Sequence, residues 1–346
     1  MLFKEMKELT KKDTKMLQGL SVLAMVLLHL FCTYDYTDKY TPILFFGGVP
    51  VCFYIAQLSD FCVFGFAFCS GYGHMVNYGQ AGFYKCRLKG LLAVLCDYWV
   101  ILCVFSLISI AAGQSEFMPG NLRTFLLSAL LVETAYNGAW WYLFTYAVLV
   151  VISPVLLKVV EKHYPLAVLI FGFAIYCAAY YVRFRVVTGN WLLIKFGPFG
   201  MTLFEYLVGA VCYKIGFVTW LRKCWAKLSK MIQWILTVIL MLAMLYARTK
   251  IVPSLFVAPV TGAVIMVLFV LWKKPKWFED LFLFVGKHST NIWLTHMFFY
   301  LCLFRHLVYK AKYPVFVFVF MMAITTTVSA LLQLVQKPIH KAVSRI

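Results

Sequence analysis

From Leu17 to Phe31 the chain reads LQGLSVLAMVLLHLF, an apolar run whose one ionisable group is His29. Comparable runs recur at about 16–34, 59–76, 91–112, 138–157, 165–182, 196–213, 231–247, 254–272, 289–304 and 313–335. About 20 apolar residues in a helix cross the ~30 Å hydrocarbon core of a bilayer. Inside that core only structures that satisfy their own backbone hydrogen bonds survive, so the runs predict helices. The expected fold class is an all-α polytopic integral membrane protein, a bundle of about ten transmembrane helices. With 63% hydrophobic residues, 13% charged residues and a mean hydropathy of +0.85, no soluble core could hide this much apolar surface.

The charges that remain argue for topology rather than for nucleic acid. Net charge is +19, but the basic residues fall in short clusters between apolar runs. The segments grouped with the N-terminus hold 22 of the 32 Lys and Arg, the opposite loops 10. The positive-inside rule then predicts that both termini are cytoplasmic. Lys4, Lys7, Lys11, Lys12 and Lys15 precede the first run, which has no small-residue cleavage pattern near its end, so the span is expected to be retained. The eleven cysteines form no CxxC pair and read as small buried hydrophobes, so no metal site is expected. The stretches Ile43 to Phe53 and Leu122 to Val132 are expected to lie on or dip into the membrane. There is no GxxxxGK[ST] loop and no internal repeat, which weighs against an ATP-driven pump or a two-fold transporter.

Candidate chemistry sits where polar groups interrupt apolar helix, since an intramembrane ionisable residue marks function by default. At about 100° per residue, Gln18 lies within roughly 20° of the face of His29 and about 16 Å away along the axis, with Lys15 close to the same face. The stripe reads as a basic group at the mouth, an amide inside and an imidazole deep within. In the second span Ser59 reads as an N-cap and Asp60 as a first-turn acid. Ser70, Gly71 and Gly73 permit close helix contact or approach of a ligand. Arg87, with Lys85 and Lys89, either snorkels to lipid phosphates or binds an anionic cosubstrate from the cytosol. Trp140 and Trp141 fit an interfacial aromatic belt or a stacking surface for a sugar ring. Ser289 and Thr290 read as caps of the ninth span, from which Asn291 and His296 project.

At these residues the chain resembles the membrane-bound acyltransferase 3 family of bacteria. In that family the first span opens on a basic residue and Gly, with ten residues between the basic residue and a histidine. Here Gln18-Gly19 to His29 keeps the spacing and the histidine, with an amide in the basic position. FAFCSGYG ending at Gly73 matches the end of the second span, and the FxKxRLxR-like segment keeps Arg87, with Gly90 in place of the second arginine. The tryptophan pair and GKHSTNIWLTH, Gly286 to His296, complete the match.

The resemblance implies one transmembrane acyltransferase domain over residues 1–346 with no appended soluble domain, in the inner (cytoplasmic) membrane. It implies transfer of an acyl group, usually acetyl, from cytosolic acyl-CoA to a hydroxyl of a carbohydrate or lipid-linked glycan of the envelope. Acetyl-CoA is then a cosubstrate, with no permanently bound cofactor; the other partners are membrane lipids. His29 is the candidate catalytic residue, as general base or as acyl carrier. Lys15, Gln18, Arg87, Trp141, Asn291 and His296 are the candidate substrate-binding residues. Two other readings remain open: a transporter or permease-like module using the same histidines, and a scaffold for envelope-polysaccharide assembly.

Overall fold

The computed structural model describes residues 8–250 and 255–345. Lys4, Lys7 and the first residue of the expected 254–272 span lie outside the described residues. In chain order the helices are α1 (Lys11–Phe31), α2 (Val51–Leu58), α3 (Cys62–Asn77), α4 (Phe83–Ala111), α5 (Leu122–Ala129), α6 (Trp141–Lys162) and α7 (Pro165–Arg185). Then follow α8 (Trp191–Lys214), α9 (Phe217–Ala226), α10 (Lys230–Lys250), α11 (Ala258–Leu271), α12 (Lys276–Tyr300), α13 (Arg305–Tyr309) and α14 (Pro314–Arg345). A two-stranded antiparallel hairpin pairs β1 (Phe45–Phe46) with β2 (Val49–Pro50).

Eight helical stretches among the described residues are long and apolar enough to cross a membrane. They are α1, the continuous stretch Val51–Asn77, α4, Gly138–Lys162, α7, α8, α10 and α14. The two remaining runs are also helical: α11 has 14 residues, and α12 begins at Lys276, well before the expected start at 289. Ser289 and Thr290 are therefore interior residues of α12 and not caps. Ser59 is likewise interior. Its hydroxyl donates to the Ile55 carbonyl at 2.8 Å, within a stretch that already began at Val51. The two segments expected at the membrane surface leave Ile43, Leu44, Leu122 and Leu126 exposed.

Two compact units interleave along the chain. Unit 1 comprises Met1–Asp35, Pro42–Tyr78 and Ser153–Lys287; unit 2 comprises Tyr36–Thr41, Gly79–Ile152 and His288–Ile346.

In unit 1, α3 packs on both α1 and α8, and α7 packs on α8. Glycines allow the backbones to meet. A Cβ on Gly71 of α3 would strike the Tyr206 carbonyl of α8, and one on Gly209 of α8 would strike the Phe68 carbonyl of α3. Such reciprocal small-residue contacts substitute for a hydrophobic driving force that lipid does not supply. The same device joins α1 to α12. Gly19 faces the Phe282 carbonyl, and Gly286 faces the Lys15 carbonyl. Helix α1 starts at a capping box, in which Asp13 N–H donates to Thr10 Oγ1 at 3.1 Å and Thr10 N–H donates to Asp13 Oδ2 at 2.9 Å.

In unit 2, α14 packs on α4, and His340 Nε2 lies 2.8 Å from Asp97 Oδ1 between them. The tryptophan segment is tied to α12. Trp140 Nε1 and Asn137 Nδ2 each donate to the Leu294 carbonyl at 2.9 Å, and Trp293 Nε1 donates to the Ala139 carbonyl at 3.1 Å.

Candidate active site

Lys15 and Gln18, the head of the expected stripe, lie on α1 in unit 1. Lys15 Nζ donates to Gln18 Oε1 at 3.2 Å, so the basic group and the amide meet one turn apart. The Gly286 crossing lies against the backbone at Lys15, which sets the start of the GKHS segment beside the mouth of the stripe. Around this end Lys12 pairs with Glu279, and Arg222 donates to Asp13 at 3.3 Å. Just outside the spans, burial lowers the Lys274 ammonium below the usual lysine range.

His29 stands differently from expectation. Helix α1 closes at Phe31, with Cys32 N–H donating to the Leu28 carbonyl. The imidazole therefore occupies the last turn, about 27 Å along the axis from Lys11, rather than lying deep within the helix. It is partly exposed. One turn on, burial and then the Asp60 carboxylate push the Cys32 thiol up, with Arg248 opposing them.

The other candidates belong to unit 2. Arg87 is half-buried near the start of α4, its guanidinium 5.8 Å from the centre of the Phe83 ring. Lys85 is exposed, and Lys89 donates to the Ser344 carbonyl at 3.1 Å. Trp140 is fully buried, so it belongs to no membrane belt; its indole is spent on Leu294. Trp141 is half-buried, edge-on to Tyr142.

Asn291 does not project into open space. It exchanges two hydrogen bonds with Gln336, at 2.8 and 2.9 Å, a closed amide pair with no donor left for a ligand on that edge. His296 is buried with Nδ1 at 2.7 Å from the Trp293 carbonyl, and its ring stacks on Tyr300. These contacts tie Asn291 and His296 into unit 2.

Several polar groups were not singled out as a site from the sequence. His288 lies 2.9 Å from Ser329 Oγ. In unit 1 Asp60 forms a buried ion pair with Arg248, whose Nη2 also donates to the Gln57 carbonyl at 3.0 Å. Arg248 comes 188 residues later and reads in the sequence as a charge just past a span. Glu205, which like Asp97 lies inside an apolar run, was the available signal. An apolar cavity of about 270 Å³, lined by Leu17, Phe64, Phe68 and Met266 among others, offers no polar group to orient an acceptor.

The fold and the stripe define a polytopic α-helical membrane protein with an ionisable residue in its first span and basic groups at the head of that span. The acyltransferase 3 family model, described as an acyltransferase domain, matches residues 14–334, and the chain belongs to that family. It is a membrane acyltransferase. No curated protein and no solved structure matches the chain.

Proposed function

We propose that the protein is a membrane O-acyltransferase that moves an acetyl group from cytosolic acetyl-CoA to a hydroxyl of an envelope carbohydrate. The observation that carries this reading is the α1 stripe, where Lys15 and Gln18 are hydrogen-bonded at the head and His29 lies on nearly the same face. The excess of basic residues in segments on the N-terminal side supports cytoplasmic termini, which puts Lys15 at the donor's side.

On this reading the donor's phosphates meet a basic side chain, for which Lys15 of unit 1 and Arg87 of unit 2 are separate candidates. The guanidinium suits phosphate as a planar fork, the ammonium as a point charge. His29, in its neutral form, takes the proton of the acceptor hydroxyl. The hydroxyl oxygen attacks the thioester carbonyl, the C–O bond forms, the C–S bond breaks and the CoA thiolate leaves to be protonated. Exclusion of water protects the thioester from hydrolysis.

The test is incubation of the purified full-length protein in lipid nanodiscs with radiolabelled acetyl-CoA and a panel of envelope glycans. Label in a base-labile ester on at least one glycan is expected. No label on any of them, with acetyl-CoA binding intact, would overturn the reading.

A further inference from the structure

The apolar cavity of unit 1, about 270 Å³, has no part in acyl transfer as read above. Its floor is made by Leu17 of α1, Phe64 and Phe68 of α3 and Met266 of α11, all buried. Its rim includes Leu169 of α7, Ile215 just past α8, Leu221 of α9 and Leu271 of α11, which are half-buried or exposed. The cavity is closed inward and reached from its edge.

The class of ligand follows from the lining. A cavity with apolar walls holds no water, because water there finds no polar partner. One of about 150 Å³ admits a benzene-sized molecule, so this one takes roughly ten carbons. An alkyl chain meets both conditions. It is not the chain of the acyl donor, since Leu17 is turned by roughly 100–160° on α1 from Gln18, His29 and Lys15. The cavity therefore lies off a different face of α1 than the stripe.

Lipid tails are as apolar as these walls, so a chain entering from the bilayer gains packing alone, and the headgroup decides which lipid is held. Segment 214–230 runs from the end of α8 through α9 to the start of α10. It carries Lys214, Arg222, Lys223, Lys227 and Lys230 and no acidic residue. Two of these adjoin the rim in sequence, Lys214 beside Ile215 and Arg222 beside Leu221. Lys214 Nζ donates to the carbonyls of Val160, Glu161 and His163 at 2.8, 3.0 and 2.8 Å, which fixes its ammonium where α6 ends and α7 is about to begin. Arg222 donates to the Glu8 carbonyl at 3.4 Å, next to Leu9 of the same cavity. Asp13 offsets the charge of Arg222, and the four lysines of the segment remain in excess. Helix α9 buries Val218 and exposes Trp220, as a short amphipathic helix lying in a membrane interface does.

We propose that the cavity holds an acyl chain of an anionic phospholipid of the cytoplasmic leaflet, with the phosphate headgroup at Lys214 and Lys223. Basic residues in such a segment draw anionic lipid, and the positive-inside rule sets the leaflet.

The test uses the full-length protein in phosphatidylcholine nanodiscs with a trace of photoactivatable lipid, its diazirine in mid-chain. One probe is phosphatidylglycerol, the other phosphatidylcholine with the same chain. Peptide mapping should find the phosphatidylglycerol label on Phe64, Phe68 or Met266, which are buried from bulk lipid. At equal mole fraction the phosphatidylcholine probe should label these residues at least about fivefold less, the scale of one cation acting on an anionic headgroup. Lys214→Gln and Lys223→Gln should each cut the phosphatidylglycerol label by about fivefold and leave the phosphatidylcholine label unchanged. Ala263→Phe, which fills the cavity from α11, should remove the floor label about tenfold or more for both probes.

Lys223→Gln guards against loss of fold, and its melting temperature in pure phosphatidylcholine should equal that of the wild type. Absence of floor label in the wild type, equal labelling by the two probes, or a label that folded Ala263→Phe leaves intact would each overturn the site. Transfer of a decanoyl group from decanoyl-CoA that Ala263→Phe abolishes, with acetyl transfer unchanged, would give the cavity to the donor's chain and overturn it too.

Discussion

Lys15 donates a hydrogen bond to Gln18 across 3.2 Å, where the family pattern places a basic residue at position 18. On the reading proposed above, Lys15 supplies that charge one turn earlier, held by the amide at position 18. Lys15→Ala should raise KM for acetyl-CoA by about tenfold, and adding Gln18→Arg should restore most of the loss, because both positions lie within roughly 40° of His29 on the helix. Donor kinetics unchanged in Lys15→Ala would reduce Lys15 to one topology lysine among several.

His29→Ala should lower acetyl transfer by at least about two orders of magnitude, the range supplied by a positioned general base. Expression and membrane insertion should be intact, because the side chain lies in the last turn of α1 and leaves the Gly19 crossing untouched. Transfer at the wild-type rate would remove His29 from the chemistry.

Arg87→Ala should act on the donor and leave the chemical step alone. Loss of one charged phosphate contact costs about 1.5–3 kcal/mol, which predicts a rise of ten- to a hundredfold in KM for acetyl-CoA with kcat nearly constant. Arg87→Lys should recover only part of it, since an ammonium lacks the guanidinium fork. If kcat falls while KM holds, Arg87 has another task.

Asn291→Leu should destabilise unit 2, because Gln336 would be left buried with both amide atoms unpaired. A cost of about 1–3 kcal/mol is expected. Asn291→Leu combined with Gln336→Leu should be milder than either single change, since an apolar pair leaves nothing unsatisfied. Melting of the three variants in nanodiscs checks this, and additive losses would refute the closed-pair description.

Much of this architecture was legible because membrane helices announce themselves by length and apolarity, and each of the ten expected runs lies largely in helix. Boundaries were less so. Ser59 and Ser289 look like caps from composition, yet both are interior, because α2 runs on through Ser59 into α3 and α12 begins at Lys276 with polar residues that no hydropathy window includes. The stripe of Lys15, Gln18 and His29 could be read since all three lie on one helix, where periodicity fixes the face. Asp60 and Arg248 could not, because their pairing is a long-range contact between segments whose spacing carries no signal. Asn291 looked like a free polar group for the same reason: Gln336 lies 45 residues away, just past the end of the last run.

The crossing of α1 and α12 at Gly19 and Gly286 leaves no side-chain layer between the two backbones. Helices separated by side chains can slide by letting rotamers re-pack, but backbones in contact have nothing to re-pack. The two therefore behave as a single strut. On the acyl-transfer reading proposed above, admission of a bulky nucleotide donor at that end of unit 1 would fall to the swing of long side chains such as Lys12 and Lys15. Selectivity there then becomes a matter of which ions Glu279 and Gln18 release, and at what salt concentration, rather than of how far a helix can tilt.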